Sequence, residues 1–215
     1  MRLASSDGEG GTDTATVSVT VPCFTPGTYI ETARGRVLVE QFRVGDRVKT
    51  LDHGLQAIEW IGTRVIPQEE LAMQANWRPV QIKKGALGAQ KPDRDMLVSP
   101  QHRMLIDNEN AELHFGARQV LALAKALTFL DGVSVADVDS ITYIHFMFKA
   151  HEIVMADGVW TESFQPGDTS LAGLDGAQRA ELMALFPDLE GAAEGKEVYV
   201  AARPTVRPWE APLLF

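Results

Sequence analysis

One cysteine, Cys23, stands among 215 residues, and a lone thiol excludes any disulfide within the chain. No apolar run approaches the roughly 18–20 residues that a membrane-spanning helix needs. Basic residues are outnumbered, 20 Lys and Arg against 29 Asp and Glu. The net charge of −9 argues against a nucleic-acid partner, whose phosphates call for a basic face. The acidic residues are scattered singly, which serves solubility rather than a cation store. The opening stretch, MRLASSDGEGGTDTAT, lacks the apolar centre of a secretory signal, so export is expected by another route or within a longer parent chain. What is present is a 45% hydrophobic chain, enough for one good core.

Residues 5–12, SSDGEGGT, have a linker composition, and 13–21, DTATVSVTV, alternate as a half-buried strand does. A lone strand is not stable in water, so this one is expected to pair, with a partner inside or outside the chain. The stretch is similar to the closing strand of cadherin-like repeats in large bacterial secreted proteins. From Pro22 to about Gly167 short apolar runs alternate with Gly, Pro and Asp, a texture of many short strands that predicts a barrel or sandwich. One hairpin is expected around ARG between TYIET and GRVLVEQF, another at Asp52-His53-Gly54, and a turn at Asp157-Gly158. RQVLALAKALTFL, 118–130, fits one amphipathic helix, although VLAL also suits a strand. Beyond Pro166, Asp175 is a candidate N-cap for a helix over 176–186, with Leu182, Leu185 and Phe186 on one stripe and Pro187 ending it. A possible strand in EVYV and a Pro-rich tail close the chain.

Cys23 follows Pro22 where the first strand-like run ends and the β-rich body begins. Sulfur is the best side-chain nucleophile here, and a neighbouring base raises its activity. The nearest electrophile is the carbonyl of Pro22, in the peptide bond just upstream. Attack there closes a five-membered ring, and collapse moves the upstream chain from nitrogen to sulfur as a thioester. An amide is more stable than a thioester, so the fold must twist or polarise that bond, and proximity can supply about 7–11 kcal/mol of such a barrier. LVSPQHRML sets Ser99 and His102 three residues apart on a tight Ser-Pro turn, and a histidine serves as acid and base near neutral pH.

Three ordered motifs carry a resemblance to the Hedgehog/intein (Hint) autoprocessing domain, over about Cys23 to Gly167. CFTPGTYIETARGRVLVEQFRVGDRVKT resembles the opening block with its nucleophilic cysteine. SPQHRML is similar to the block whose Thr-x-x-His activates the scissile bond, with Ser99 in place of threonine. YIHFMFKAHEIVMADGVWTES resembles the closing block, with His145 where an aspartate is usual. The resemblance implies a mostly β, pseudo-twofold horseshoe with a short C-terminal helical appendage. It divides the chain into a flank at 1–22, a Hint domain at 23–167, and a helix and tail at 168–215. It further implies Cys23 as nucleophile, His102 as acid/base and polariser, Ser99 as an orienting hydroxyl, and His145 or His151 as a supporting or proton-shuttling group.

The departures matter as well. Splicing inteins end in His-Asn, whereas Glu162-Ser163 stand here, so cleavage before Cys23 is expected without ligation of the flanks. The expected acyl acceptor is water or an outside nucleophile, the substrate is the chain's own upstream segment, and the event is a single turnover without a cofactor. Pro22 restricts the junction, and the sequence leaves open whether it slows or assists the shift. Cys23, His102, His145 and His151 include the residue types that bind zinc, but their spacing is no structural zinc pattern, and no required metal is expected. His53 and His114 are expected at surfaces or turns, and Asp46 at its hairpin turn. An extracellular setting, as part of a longer bacterial protein, goes with the resemblance. Two other readings stand beside it: an inactive β-rich module of a secreted adhesin or toxin, and a Cys-His hydrolase acting in trans.

Overall fold

Turn-forming residues interrupt this chain every few positions, and the strands between them are correspondingly short. The computed structural model describes residues 22–165, 176 and 200–215, and the backbone of 2–6 and 12–16. The first two strands, β1 (Arg2–Ser6) and β2 (Thr12–Thr16), pair antiparallel with Arg2 opposite Thr16. The strand expected over 13–21 thus finds its partner inside the chain, partly in residues expected as linker, while 17–21 lie outside the described residues.

Both expected hairpins form. β3 (Tyr29–Thr32) pairs with β4 (Gly35–Leu38), and β5 (Arg47–Thr50) pairs with β6 (Gly54–Ala57) across the Asp52-His53-Gly54 turn. Gly54 sits at φ 67°, a backbone region that a residue without Cβ enters freely. The chain continues through β7 (Trp60–Ile66), α1 (Gln68–Met73), β8 (Val80–Ile82), β9 (Met96–Val98), β10 (Arg103–Asp107) and α2 (Glu109–Phe115). Then come β11 (Gln119–Leu123), β12 (Val133–Val135), β13 (Ile141–Met147), β14 (Ile153–Ala156) and β15 (Val159–Glu162). The largest sheet among the described residues runs β11-β10-β15-β14-β3-β5-β6, with β4 beside β3. Smaller sheets are β12-β8-β9 and the long pair β13-β7.

The helix that 118–130 would suit does not form. Gln119–Leu123 is the strand β11, paired with β10, and Ala124–Leu127 is a 3-10 turn. Val120, Leu121, Ala122 and Leu123 are all buried, and Val120 and Ala122 join a different apolar cluster from Leu121. A strand buried on both faces reads as a continuous apolar run, which periodicity alone does not separate from a helix. The helix expected over 176–186 falls outside the described residues but for Gly176, and most of EVYV lies outside them too.

The C-terminal residues pack into the core. Val206 N–H donates to Leu121 O at 2.9 Å, Leu121 N–H donates to Pro204 O at 2.8 Å, and a 3-10 helix follows at Pro208–Leu214. Val206, Ala211 and Leu214 are buried in the main core cluster.

Strand β13 organises the site. Its period of two sends Ile144 and Phe146 into the main core and Ile141, Tyr143 and Met147 into a second cluster that includes Trp60, Phe164 and Cys23. His145 falls on that second face. Among the described residues no helix is long and apolar enough to cross a membrane.

Candidate functional site

The segment Pro22–Thr25 is buried between β9 and β13. Phe24 exchanges both backbone hydrogen bonds with Ile144, at 2.8 and 2.9 Å, and Cys23 O accepts from Ser99 N–H at 3.0 Å. The N–H of Cys23, which belongs to the Pro22–Cys23 amide, donates instead to the Ser99 hydroxyl oxygen at 2.8 Å. Ser99 is fully buried and opens the tight turn whose closing bond runs from His102 N–H to Ser99 O at 3.0 Å. Pro100 presets the backbone of that turn, so one short loop delivers both a hydroxyl and an imidazole to the junction region.

His102 is buried, with its ring edge-on to Phe24 at 4.5 Å between centroids. Its Nε2 lies 2.6 Å from Thr161 Oγ1, and that hydroxyl lies 2.7 Å from the carbonyl oxygen of Arg103. A carbonyl only accepts, so Thr161 donates its single proton to Arg103 O and accepts from Nε2–H of His102. Nδ1 is then the bare nitrogen, and among the described residues it has no hydrogen-bond partner. Burial is the main reason His102 ionises low, at about 4; Glu162 opposes the shift and Arg103 adds to it.

His145 comes from β13 and places Nδ1 3.4 Å from Cys23 Sγ. Its ring lies against Trp60 and Phe164, at centroid distances of 5.0 and 5.4 Å. Opposite, on β7, stands Gly62, where an added Cβ would sit 2.1 Å from Nε2 of His145. Only a glycine fits this register position. Burial pushes the Cys23 thiol up, against a Ser99 hydrogen bond and the Arg64 charge, so the resting pair is a neutral thiol beside an imidazole. In this arrangement a base can take a proton from sulfur while a hydroxyl holds the adjacent amide.

The structure therefore brings Cys23, Ser99 and His145 together, with His102 on the Ser99 turn. His151 is placed differently. Its Nδ1 accepts from Ala202 N–H at 3.0 Å, and its Nε2 lies 3.4 Å from Glu162 Oε2. Glu162, wholly buried, also accepts from Arg103 N–H at 2.9 Å and from Arg103 Nη1 at 2.8 Å. Burial works against its charge, but the neighbouring His151 ring and the Arg103 charge prevail and hold the carboxyl below the usual range. Among the described residues no group of three or more His, Cys, Asp or Glu is placed to hold a metal ion.

Of the remaining histidines, His53 is exposed and pairs with Glu152 at 3.0 Å, and His114 is in the last turn of α2. Asp46 shapes its hairpin turn by accepting from Arg43 N–H at 2.9 Å. Asp157 occupies the expected turn at φ 43°, buried, and accepts from Tyr29 N–H at 3.2 Å. Sequence reasoning missed Thr161, Arg103 and Gly62 and took Glu162 only as a departure from a motif. The available signal was a charged residue in the strand VWTE, where burial on both faces at Thr161 and Glu162 demands a partner for the charge.

A β-rich body that opens on a buried cysteine, with that residue's own upstream amide held by a hydroxyl, defines the class of self-processing domains. The family model of the Hint domain matches residues 22–168, and the chain belongs to that family. Its fold is the expected mostly β, Hint-type one. A solution structure of a bacterial intein-like domain from Clostridium thermocellum is similar at 13% identity, covering 67% of this chain and 99% of that chain, with a TM-score of 0.42. A DnaB intein from Synechocystis sp. PCC 6803 is similar at 12% identity, covering 66% of this chain and 98% of that chain, with a TM-score of 0.36. No curated protein matches the chain.

Proposed function

We propose that this domain cleaves its own chain between Pro22 and Cys23 through an N–S acyl shift, without splicing. The observation that carries the reading is the double engagement of Cys23: its N–H on Ser99 Oγ at 2.8 Å and its Sγ 3.4 Å from His145 Nδ1. His145 takes the thiol proton as Sγ adds to the Pro22 carbonyl carbon. The C–N bond then breaks, and the nitrogen of Cys23 leaves as an amine after gaining that same proton, handed on from His145 through Nδ1 of His102. The shift is an isomerisation, so the proton lost by sulfur equals the one gained by nitrogen, and Ser99 lies beside both atoms. The upstream chain is left on sulfur as a thioester, which water or an outside nucleophile opens to restore the thiol. Ser163 stands where splicing would require a cyclising asparagine, so the downstream flank stays attached. The event is a single turnover whose substrate is the chain's own upstream segment, in the setting of a longer secreted bacterial protein.

The test is the full chain behind an N-terminal tag, incubated with and without dithiothreitol and followed by intact mass. A thiol-dependent fragment whose new N-terminus is Cys23, absent from Cys23→Ala, is the expected result. An uncleaved wild-type chain, or a fragment that persists in Cys23→Ala, would overturn the reading.

A further inference from the structure

We infer that Glu162 is a positioning residue for His102, acting through Arg103 and Thr161 to hold the proton of the imidazole on Nε2 and leave Nδ1 bare. The inference rests on the cleavage reading above and adds residues that the Cys23, Ser99 and His145 contacts do not include.

Glu162 is wholly buried, and a buried carboxylate is held only where countercharge and hydrogen bonds meet it. Arg103, the residue after His102, supplies both: its N–H reaches Oε1 at 2.9 Å and its Nη1 reaches Oε2 at 2.8 Å. Glu162 thus grips the main chain and the side chain of one residue at once. The carbonyl of that same residue accepts from the Thr161 hydroxyl at 2.7 Å, and the hydroxyl accepts from His102 Nε2–H at 2.6 Å. Thr161 and Glu162 are neighbours on β15, where successive side chains point to opposite faces. One strand end therefore clamps the His102–Arg103 step from two sides. Behind Glu162, Ala202 N–H occupies Nδ1 of His151, so the proton of that ring sits on Nε2 towards the carboxylate.

The clamp has a chemical consequence. With its proton on Nε2, His102 cannot donate from Nδ1 until it has first accepted one. Nδ1 receives, by way of His145, the proton that leaves Cys23 Sγ and passes it to the Cys23 nitrogen as the bond to the Pro22 carbonyl carbon breaks. No proton is gained or lost overall. A buried ring nitrogen without a partner among the described residues would be a cost without this use.

The charged groups that bear on His102 are Glu162 and Arg103; the other ionisable groups of the site are the Cys23 thiol, His145 and His151. Glu162 favours the imidazolium, so its removal lowers the pH at which His102 ionises.

Nitrogen NMR of the full, uncleavable Cys23→Ala chain labelled with 15N-histidine tests the clamp directly. At neutral pH His102 is expected as the Nε2–H form. Glu162→Gln should move its ionisation to lower pH, Thr161→Val should abolish the preference for Nε2–H, and Thr161→Ser should restore it. In the Cys23 chain, Glu162→Gln and Thr161→Val should cleave more slowly by on the order of tenfold or more, with Thr161→Ser near wild type. A Nδ1–H form in the parent chain, or unchanged spectra and rate in Thr161→Val, would overturn the inference. Failure of the wild-type chain to cleave would overturn the cleavage reading instead, and the spectra would still decide the clamp.

Discussion

The backbone N–H of Cys23 donates to the hydroxyl of Ser99 at 2.8 Å, a contact between residues 76 positions apart. It replaces the backbone acceptor that a strand residue would ordinarily find. Ser99→Ala leaves a buried N–H without its acceptor, so unfolding in urea should show a loss of about 1–3 kcal/mol. Cleavage of a tagged chain should slow by at least about tenfold, since the amide is no longer oriented. Wild-type cleavage in this variant would remove the contact from the mechanism.

Gly62 is set against the imidazole of His145 with no room between them. In Gly62→Ala the new Cβ would lie 2.1 Å from Nε2 and 2.5 Å from the Trp60 ring, and both side chains are buried. Overpacking of this kind costs about 1–3 kcal/mol. It should also turn His145 away from Cys23 and lower cleavage, with a drop in melting temperature alongside. Full activity in Gly62→Ala would mean that His145 does not need its observed place.

Acid should weaken this fold through His102. The folded chain keeps the imidazole neutral down to about 4, while the unfolded chain takes up a proton near 6.5. Between those values the unfolded state binds more protons, so stability falls as pH falls. Glu162 adds to the loss at still lower pH, because its carboxyl is held below the usual range. Asp157, pushed up to about 6 by burial, runs the other way, so the comparison to make is with His102→Gln, where Asp157 cancels. Denaturant unfolding from pH 7 to 4 should shift the balance towards the variant by up to about 3 kcal/mol. A constant difference would refute the neutral, buried assignment.

The C-terminal segment should prove part of the core. Leu214 is wholly buried, and its carbonyl accepts from Asn108 Nδ2 at 2.7 Å, at the N-cap of α2. Leu214→Ala should cost about 2–5 kcal/mol, and deleting 200–215 should cost more. Thermal melts give the answer, and an unchanged midpoint after deletion would contradict the packing.

Much of this protein could be read along the chain, but not all of it. Asp52-His53-Gly54 and Asp157-Gly158 announced their turns because glycine and aspartate tolerate the backbone that tight turns require. The stretch 118–130 misled because a strand buried on both faces carries no alternation to betray it. His151 looked equivalent to His145, yet the two serve different partners, since Glu162 and the distant Ala202 claim the first.

The sequence by itself determined the β class, the hairpin turns and the position of the lone thiol after a proline, because these depend on local backbone preference and on alternation along a strand. Only the tertiary structure decided which imidazole faces the sulfur, which nitrogen of His102 carries the proton, and where the Glu162 charge finds its counterpart. Those outcomes depend on strand pairings between residues far apart and on burial, which changes how strongly each group holds its proton.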